Sequence, residues 1–248
     1  APKNADVVYV MKLAILKSID GGKTFKEVDV QHGDTHRLWI DPADPNRMIL
    51  GDDGGATVTF DGAKTWSDQH NQPTAQFYHV NTDDQFPYRI YGGQQDNSAI
   101  SIALRSDDGG IGIRNYFSVA GCENATVAFD PRNPNITYGG CYLGMFSRYD
   151  HDRRQERDIS VTDINWDGYA AKDAPERFQW TFPVLVSKHD PRTLYVTSQH
   201  VWRTRDEGQT WQRISPDLTK ADPATLGHTG GPVHGETTGA ACYVTIYA

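Results

Sequence analysis

The chain has 248 residues, with 24 Lys and Arg against 32 Asp and Glu, a formal net charge of −8. That balance argues against a nucleic-acid partner, and no apolar run approaches the roughly 20 residues that a membrane-spanning helix needs. Only 38% of residues are hydrophobic, while 6 Trp, 12 Tyr, 23 Gly and 13 Pro suit short strands joined by tight turns. The expected class is all-β, in one domain over residues 1–248.

In chain order, the opening residues Pro2-Lys-Asn4 resemble the turn after a first strand, followed by strands at Val7–Val10 and Ala14–Lys17. Groups of four strands are then predicted near 36–41, 47–51, 56–60 and 65–69, and near 76–82, 88–93, 98–105 and 113–119. A third group falls near 124–130, 136–141, 144–149 and 156–162, and a fourth near 181–187, 193–198, 200–205 and 210–215. Between the last two lies an insertion, Asp163 to Arg177, containing Trp166 and Tyr169. A Gly-, Pro- and Thr-rich connection runs from Pro216 to Thr238, and a final strand covers Cys242–Tyr247.

Two repeats organise these groups. Ser18-Ile-Asp20-Gly-Gly22-Lys-Thr24-Phe25, Thr59-Phe-Asp61-Gly-Ala63-Lys-Thr65-Trp66 and Thr204-Arg-Asp206-Glu-Gly208-Gln-Thr210-Trp211 share one pattern, with Ala63 in place of a glycine. The Asp carboxylate accepts turn N–H groups, glycine takes a positive φ and the aromatic ring packs under the turn. Strands ending in Asp-Pro form the second repeat, at Asp41, Asp130 and Asp190, with a looser copy at Asp84; the spacings are 43, 46 and 60 residues. Four strands in 40–50 residues make a propeller blade, and about five blades are expected. If Cys242–Tyr247 supplies the missing strand beside Val7–Val10, the ring closes; the rival reading is a portion of a longer propeller.

With three cysteines there is no disulfide framework. A Cys122–Cys141 bridge is conceivable, but small buried thiols are the favoured expectation.

The Asp turns resemble the Asp-box, or bacterial neuraminidase, repeats of sialidases, sortilin-type propellers and xyloglucan-hydrolysing propellers. The segments His32-Gly-Asp34-Thr-His36-Arg-Leu-Trp-Ile-Asp-Pro, Asn71-Gln-Pro-Thr-Ala-Gln-Phe-Tyr78, Gly93-Gln-Gln-Asp-Asn97 and Phe178-Gln-Trp-Thr-Phe-Pro183 resemble large bacterial secreted proteins described as sortilin-like or glycosyl-hydrolase-like. The resemblance covers nearly the whole chain. It implies a secreted, periplasmic or extracellular protein, and relatives much longer than this chain.

Asp20, Asp61 and Asp206 are expected to be structural. Function in propellers sits where first strands and their loops converge. Residues entering those strands are polar: His32, Asp34 and His36; Gln76 and Tyr78; Glu123 and Asn124; Gln179 and Trp180; His234 and Glu236. On an extended strand His32, Asp34 and His36 share one face, as a hydrogen-bonded cluster rather than a zinc-type metal site. Gly51-Asp52-Asp53-Gly54-Gly55 resembles the loop that supplies a catalytic carboxylate in xyloglucan-hydrolysing propellers, with Asp52 at the matching position; a structural turn is the alternative. Partner carboxylates would be Asp96, Glu123 or Glu236, an inverting pair needing about 6.5–9.5 Å between them. Sialidase chemistry is set aside, since among these strand positions only Arg37 is basic.

The expected site is therefore a mouth lined by His32, Asp34, His36, Asp52, Gln95, Asp96, Glu123, Gln179, Trp180, His234 and Glu236, with Trp166 and Tyr169 as further aromatic candidates. No cofactor and no resident metal are expected. One reading is a glycan-binding propeller, with or without hydrolase activity. The other is a peptide- or protein-binding module, or a scaffold in a larger extracellular assembly.

Overall fold

The computed structural model describes residues 1–72, 74–230, 235–236 and 242–247. It divides into two compact units, residues 1–74 and 75–248.

In the first unit β1 (Val8–Met11), β2 (Ile15–Ser18) and β3 (Lys26–Val28) form one antiparallel sheet, and β4 (Thr35–Ile40), β5 (Met48–Asp52) and β6 (Gly55–Thr59) a second. Strand alternation turns Ile15, Val28 and Leu50 into a shared core, with Tyr9, Leu38 and Trp66 packed against it. The strand expected at 65–69 does not form. Ser67 N–H donates to the Val58 carbonyl at 2.8 Å, but Val58 N–H is met by the Ser67 hydroxyl at 3.0 Å, so a side chain ends the ladder after one backbone bond.

The second unit contains three four-stranded antiparallel sheets, each in sequential order. They are β7 (Asn81–Thr82), β8 (Arg89–Gly93), β9 (Ala99–Ala103) and β10 (Tyr116–Ser118); β11 (Val127–Asp130), β12 (Asn133–Gly140), β13 (Phe146–Asp150) and β14 (Gln155–Asp158); and β15 (Val184–Val186), β16 (Leu194–Thr197), β17 (Val201–Thr204) and β18 (Gln212–Arg213). A short pair, β19 (Thr229–Gly230) and β20 (Gly235–Glu236), follows. The chain is thus all-β, built of three- and four-stranded antiparallel meanders of the kind that constitute propeller blades, with the predicted strands offset by a few residues. Strand β11 touches both β8 and β15, so successive sheets pack through their inner strands. Between the last two sheets lie Ile136, Tyr138, Phe146, Phe178, Phe182, Val184 and Val196, the largest core of the unit.

Three expectations are corrected here. First, residues 242–247 form no strand beside Val7–Val10. Val244 sits at φ 56°, which breaks an extended run, and Ile246 N–H donates to the Ser198 carbonyl at 2.9 Å. Second, Trp166 is no exposed stacking platform. It is fully buried with Ala171 and Cys242, and its indole N–H donates to the Leu143 carbonyl at 3.1 Å. The insertion therefore has a small core of its own, and only Tyr169 of its two aromatic candidates is exposed. Third, Cys122 and Cys141 are joined by a disulfide, with Cα atoms 5.1 Å apart, and only Cys242 is a buried free thiol.

Candidate functional site

The Asp turns are built alike. Asp20 accepts from the amides of Lys23 and Thr24 at 3.1 and 2.9 Å and from the hydroxyls of Ser18 and Thr24 at 2.7 and 2.6 Å. Asp61 and Asp206 repeat the arrangement with Thr59 and Thr65, and with Thr204 and Thr210. Because these donors favour the ionised form, the Thr24 hydroxyl first among them holds Asp20 near pKa 2; the Thr210 hydroxyl does the same for Asp206. Ala63 adopts φ 71° where the first turn has Gly22 at φ 87°, so this turn keeps its left-handed backbone without glycine.

In the first unit, the shared face of His32, Asp34 and His36 is not formed. Strand β4 begins at Thr35, Asp34 takes φ 52°, and the β4–β5 register shifts between Thr35 and Arg37. His36 pairs with Asp53, and the His32 Nδ1 lies 3.1 Å from the Gly33 carbonyl. Among the described residues no group of three or more His, Cys, Asp or Glu is placed to hold a metal ion. Asp52 is buried; its carboxylate accepts from the Gly54 amide at 3.0 Å and from Gln69 Nε2 at 2.8 and 3.0 Å.

The second unit brings six residues together from the loops of all three of its four-stranded sheets. Tyr78 precedes β7, Gln95 and Asp96 form the β8–β9 turn, Glu123 precedes β11, Tyr142 follows β12 and Trp180 precedes β15. Gln95 Nε2 donates to Glu123 Oε2 at 2.9 Å and to Asp96 Oδ1 at 2.8 Å, while the Asp96 amide donates to Glu123 Oε2 at 2.5 Å. The Tyr142 hydroxyl donates to Glu123 Oε1, and the Tyr78 hydroxyl to Gln95 Oε1. Trp180 Nε1 donates to the Tyr78 hydroxyl oxygen at 3.0 Å, and its ring lies 4.8 Å from that of Tyr142 at an interplanar angle of 40°. All of these residues are half-buried.

Backbone anchors hold this cluster. Gln179 Oε1 accepts the Trp180 amide at 2.5 Å, and the Asn124 side-chain amide donates to the Trp180 carbonyl. Beneath Tyr142 the chain turns through Leu143 at φ 59° and Gly144 at φ 84°; a Cβ on Gly144 would lie 2.2 Å from the Phe178 ring. Burial, reinforced by the Glu123 carboxylate, pushes the Tyr142 phenol well above its ordinary pKa, so it stays a donor at any physiological pH.

Tyr142 was not among the sequence candidates. Its signal was its position: it follows Cys141 as Glu123 follows Cys122, so bridging the cysteines brings the two side chains together. Of the expected carboxylates, Asp96 and Glu123 are joined. Asp96 Oδ1 and Glu123 Oε2 share one nitrogen donor, at 2.8 and 2.9 Å, so these oxygens lie less than about 6 Å apart, inside the roughly 6.5–9.5 Å of an inverting pair. His234 lies outside the described residues, and of Glu236 only the backbone is described, in β20.

No family model matches the chain, and no curated protein does. Among solved structures, the xyloglucanase of family GH74 from Xanthomonas campestris is 16% identical, with 88% of this chain and 38% of that chain covered and a TM-score of 0.34. A GH74 enzyme from Niastella koreensis is 18% identical, covering 86% of this chain and 37% of that one, at a TM-score of 0.38. YCF48 bound to a D1 peptide is 12% identical over 84% of this chain and 63% of that one, also at 0.38. This chain spans less than two thirds of each.

Proposed function

We propose that this chain is a secreted Asp-box propeller module that binds glycan at the Tyr78–Gln95–Glu123–Tyr142–Trp180 cluster. The observation that carries the reading is the pairing of two half-buried aromatic rings, Trp180 and Tyr142, with an amide and a carboxylate held at their edges. Such rings offer apolar faces to the C–H faces of sugars, while Glu123 Oε1 and Gln95 Oε1, each accepting one bond within the cluster, keep acceptor capacity for hydroxyls. The recurrence of the same Asp-to-Thr bonding in the three Asp turns supports the Asp-box assignment. A Cys122–Cys141 disulfide beside the cluster suits an oxidising, extracytoplasmic compartment.

Binding is the function, rather than hydrolysis, at this cluster. Glu123 accepts three donors, and Asp96, which shares the Gln95 nitrogen with it, lies inside the spacing that an inverting pair needs. Screening the chain against a polysaccharide panel, for retention and for reducing-end release, tests both points. Retention that weakens in Trp180→Ala, with no reducing ends released, is expected; retention of no polysaccharide by the native chain would overturn the reading.

A further inference from the structure

A second feature lies in the loops of the last two four-stranded sheets, apart from the aromatic cluster. The Asp-Pro repeat ends in arginine twice, as Asp130-Pro-Arg132 and Asp190-Pro-Arg192, where the earlier copy has Ala43. In each, the Asp carboxylate accepts the amide two residues on, at 2.8 and 3.1 Å, and binds the same arginine's side chain. Arg132 uses Nε and Nη2 on Asp130, at 2.9 and 2.5 Å, and Arg192 uses Nε and Nη2 on Asp190, at 3.1 and 3.3 Å. Both carboxylates thus hold the guanidiniums by one edge and fix their direction, while Nη1 of each makes no such bond.

The third arginine comes from the other repeat. At the position where the first two Asp turns carry Ile19 and Phe60, the last carries Arg205. Arg205 is exposed and has no carboxylate partner among the described residues. Together Arg132, Arg192 and Arg205 line an open basin of about 230 Å³, closed by Asp206, Glu207 and Gln209.

Every acidic group there is already engaged. Asp206 is spent on its own turn, and Glu207 accepts from Arg148 Nε at 2.7 Å with Arg132 3.9 Å away. Asp190 raises the Arg192 pKa, and the Arg132 charge opposes that rise, so the two guanidiniums lie in each other's field. Arginines held side by side with unspent N–H groups match the geometry of an oxyanion, which accepts several charge-assisted bonds at once.

We propose that Arg132, Arg192 and Arg205 form an oxyanion-binding site that takes a single sulfate, phosphate or carboxylate group. Its volume falls below that of ordinary small-molecule pockets, so it fits one anionic group, free or pendant on a larger ligand. The net charge of −8 makes this a local exception on an acidic chain.

The test is a titration of the whole chain at low ionic strength with sodium sulfate, sodium phosphate and sodium acetate, followed through the arginine Nε–H resonances. Saturable shifts confined to these arginines are expected, and Arg205→Met should weaken the binding about tenfold, while Arg37→Met leaves it unchanged. The exposed Arg205 side chain makes no hydrogen bond or ion pair among the described residues, so its variant should keep the native Tm; Arg192→Gln serves as a second variant with the same expected weakening. A competition arm with a sulfated and a uronate oligosaccharide distinguishes a sugar-borne group from a free inorganic anion, and displacement of sulfate by either upholds the site. Absence of saturable shifts, or sulfate binding as tight in Arg205→Met and Arg192→Gln as in the native chain, would overturn it.

Discussion

Tyr142 donates a hydroxyl hydrogen bond to Glu123 Oε1 while the residues immediately before them, Cys141 and Cys122, are joined by a disulfide. The covalent bond fixes the two backbones, and the hydrogen bond fixes the side chains that extend from them. Trp180 then leans on the Tyr142 ring, so the aromatic part of the cluster inherits its position from the cysteine pair.

Removing the bridge should therefore affect stability and binding together. The bond closes a span of 19 residues, for which loop-closure entropy gives about 3 kcal/mol. Cys122→Ser with Cys141→Ser should lower the unfolding free energy by about that amount in denaturant titrations and weaken glycan retention in the folded population. A variant that loses stability but retains glycan fully would place the ligand away from Tyr142.

Coupling between Glu123 and Tyr142 is measurable directly. In a double-mutant cycle with Glu123→Gln and Tyr142→Phe, a half-buried charge-assisted bond should give an interaction energy of about 1–2 kcal/mol. A coupling near zero would mean that the bond contributes nothing in solution.

The Asp turns predict an acid dependence. Asp20 is lowered from 3.8 to about 2, so the unfolded chain binds protons before the folded one does. The stability it contributes is complete above about pH 4 and is lost as pH falls toward about 2; Asp206 behaves alike, and Asp61 is lowered in the same direction. Denaturant midpoints measured from pH 5 to pH 2 should fall, and Asp20→Asn should flatten part of that fall. An unchanged slope in the variant would show that the carboxylate is not what the turn relies on.

Gly144 offers a packing test. With φ at 84° and the Phe178 ring 2.2 Å from where a Cβ would sit, Gly144→Ala combines backbone strain with overpacking. A loss of about 2–3 kcal/mol is expected in thermal or denaturant unfolding. A neutral substitution would mean that Phe178 moves freely, against its complete burial.

What could be read from sequence followed how local its cause was. The Asp turns were legible because Asp, Gly and Thr within seven residues supply every donor and acceptor, and the sheets because their turns recur. Trp166 was misread because burial depends on what packs over it, here the Leu143 turn and Cys242, distant in sequence. His32, Asp34 and His36 failed as a face because Asp34, at the entry to the strand, takes a left-handed backbone instead of an extended one. Glu123, Gln95 and Trp180 were found as polar or aromatic residues at strand entries. Tyr142 was not, because its place depends on a disulfide that spacing alone left open.

The central claim is that glycan meets Trp180 in this cluster. It is tested most directly by following the indole N–H resonances while titrating an oligosaccharide of whichever polysaccharide the chain retains, with Trp180→Phe used for assignment. The account predicts that the Trp180 signal shifts and saturates, while that of Trp166, buried and bonded to Leu143, stays still. Saturable binding with the Trp180 signal unmoved would contradict it.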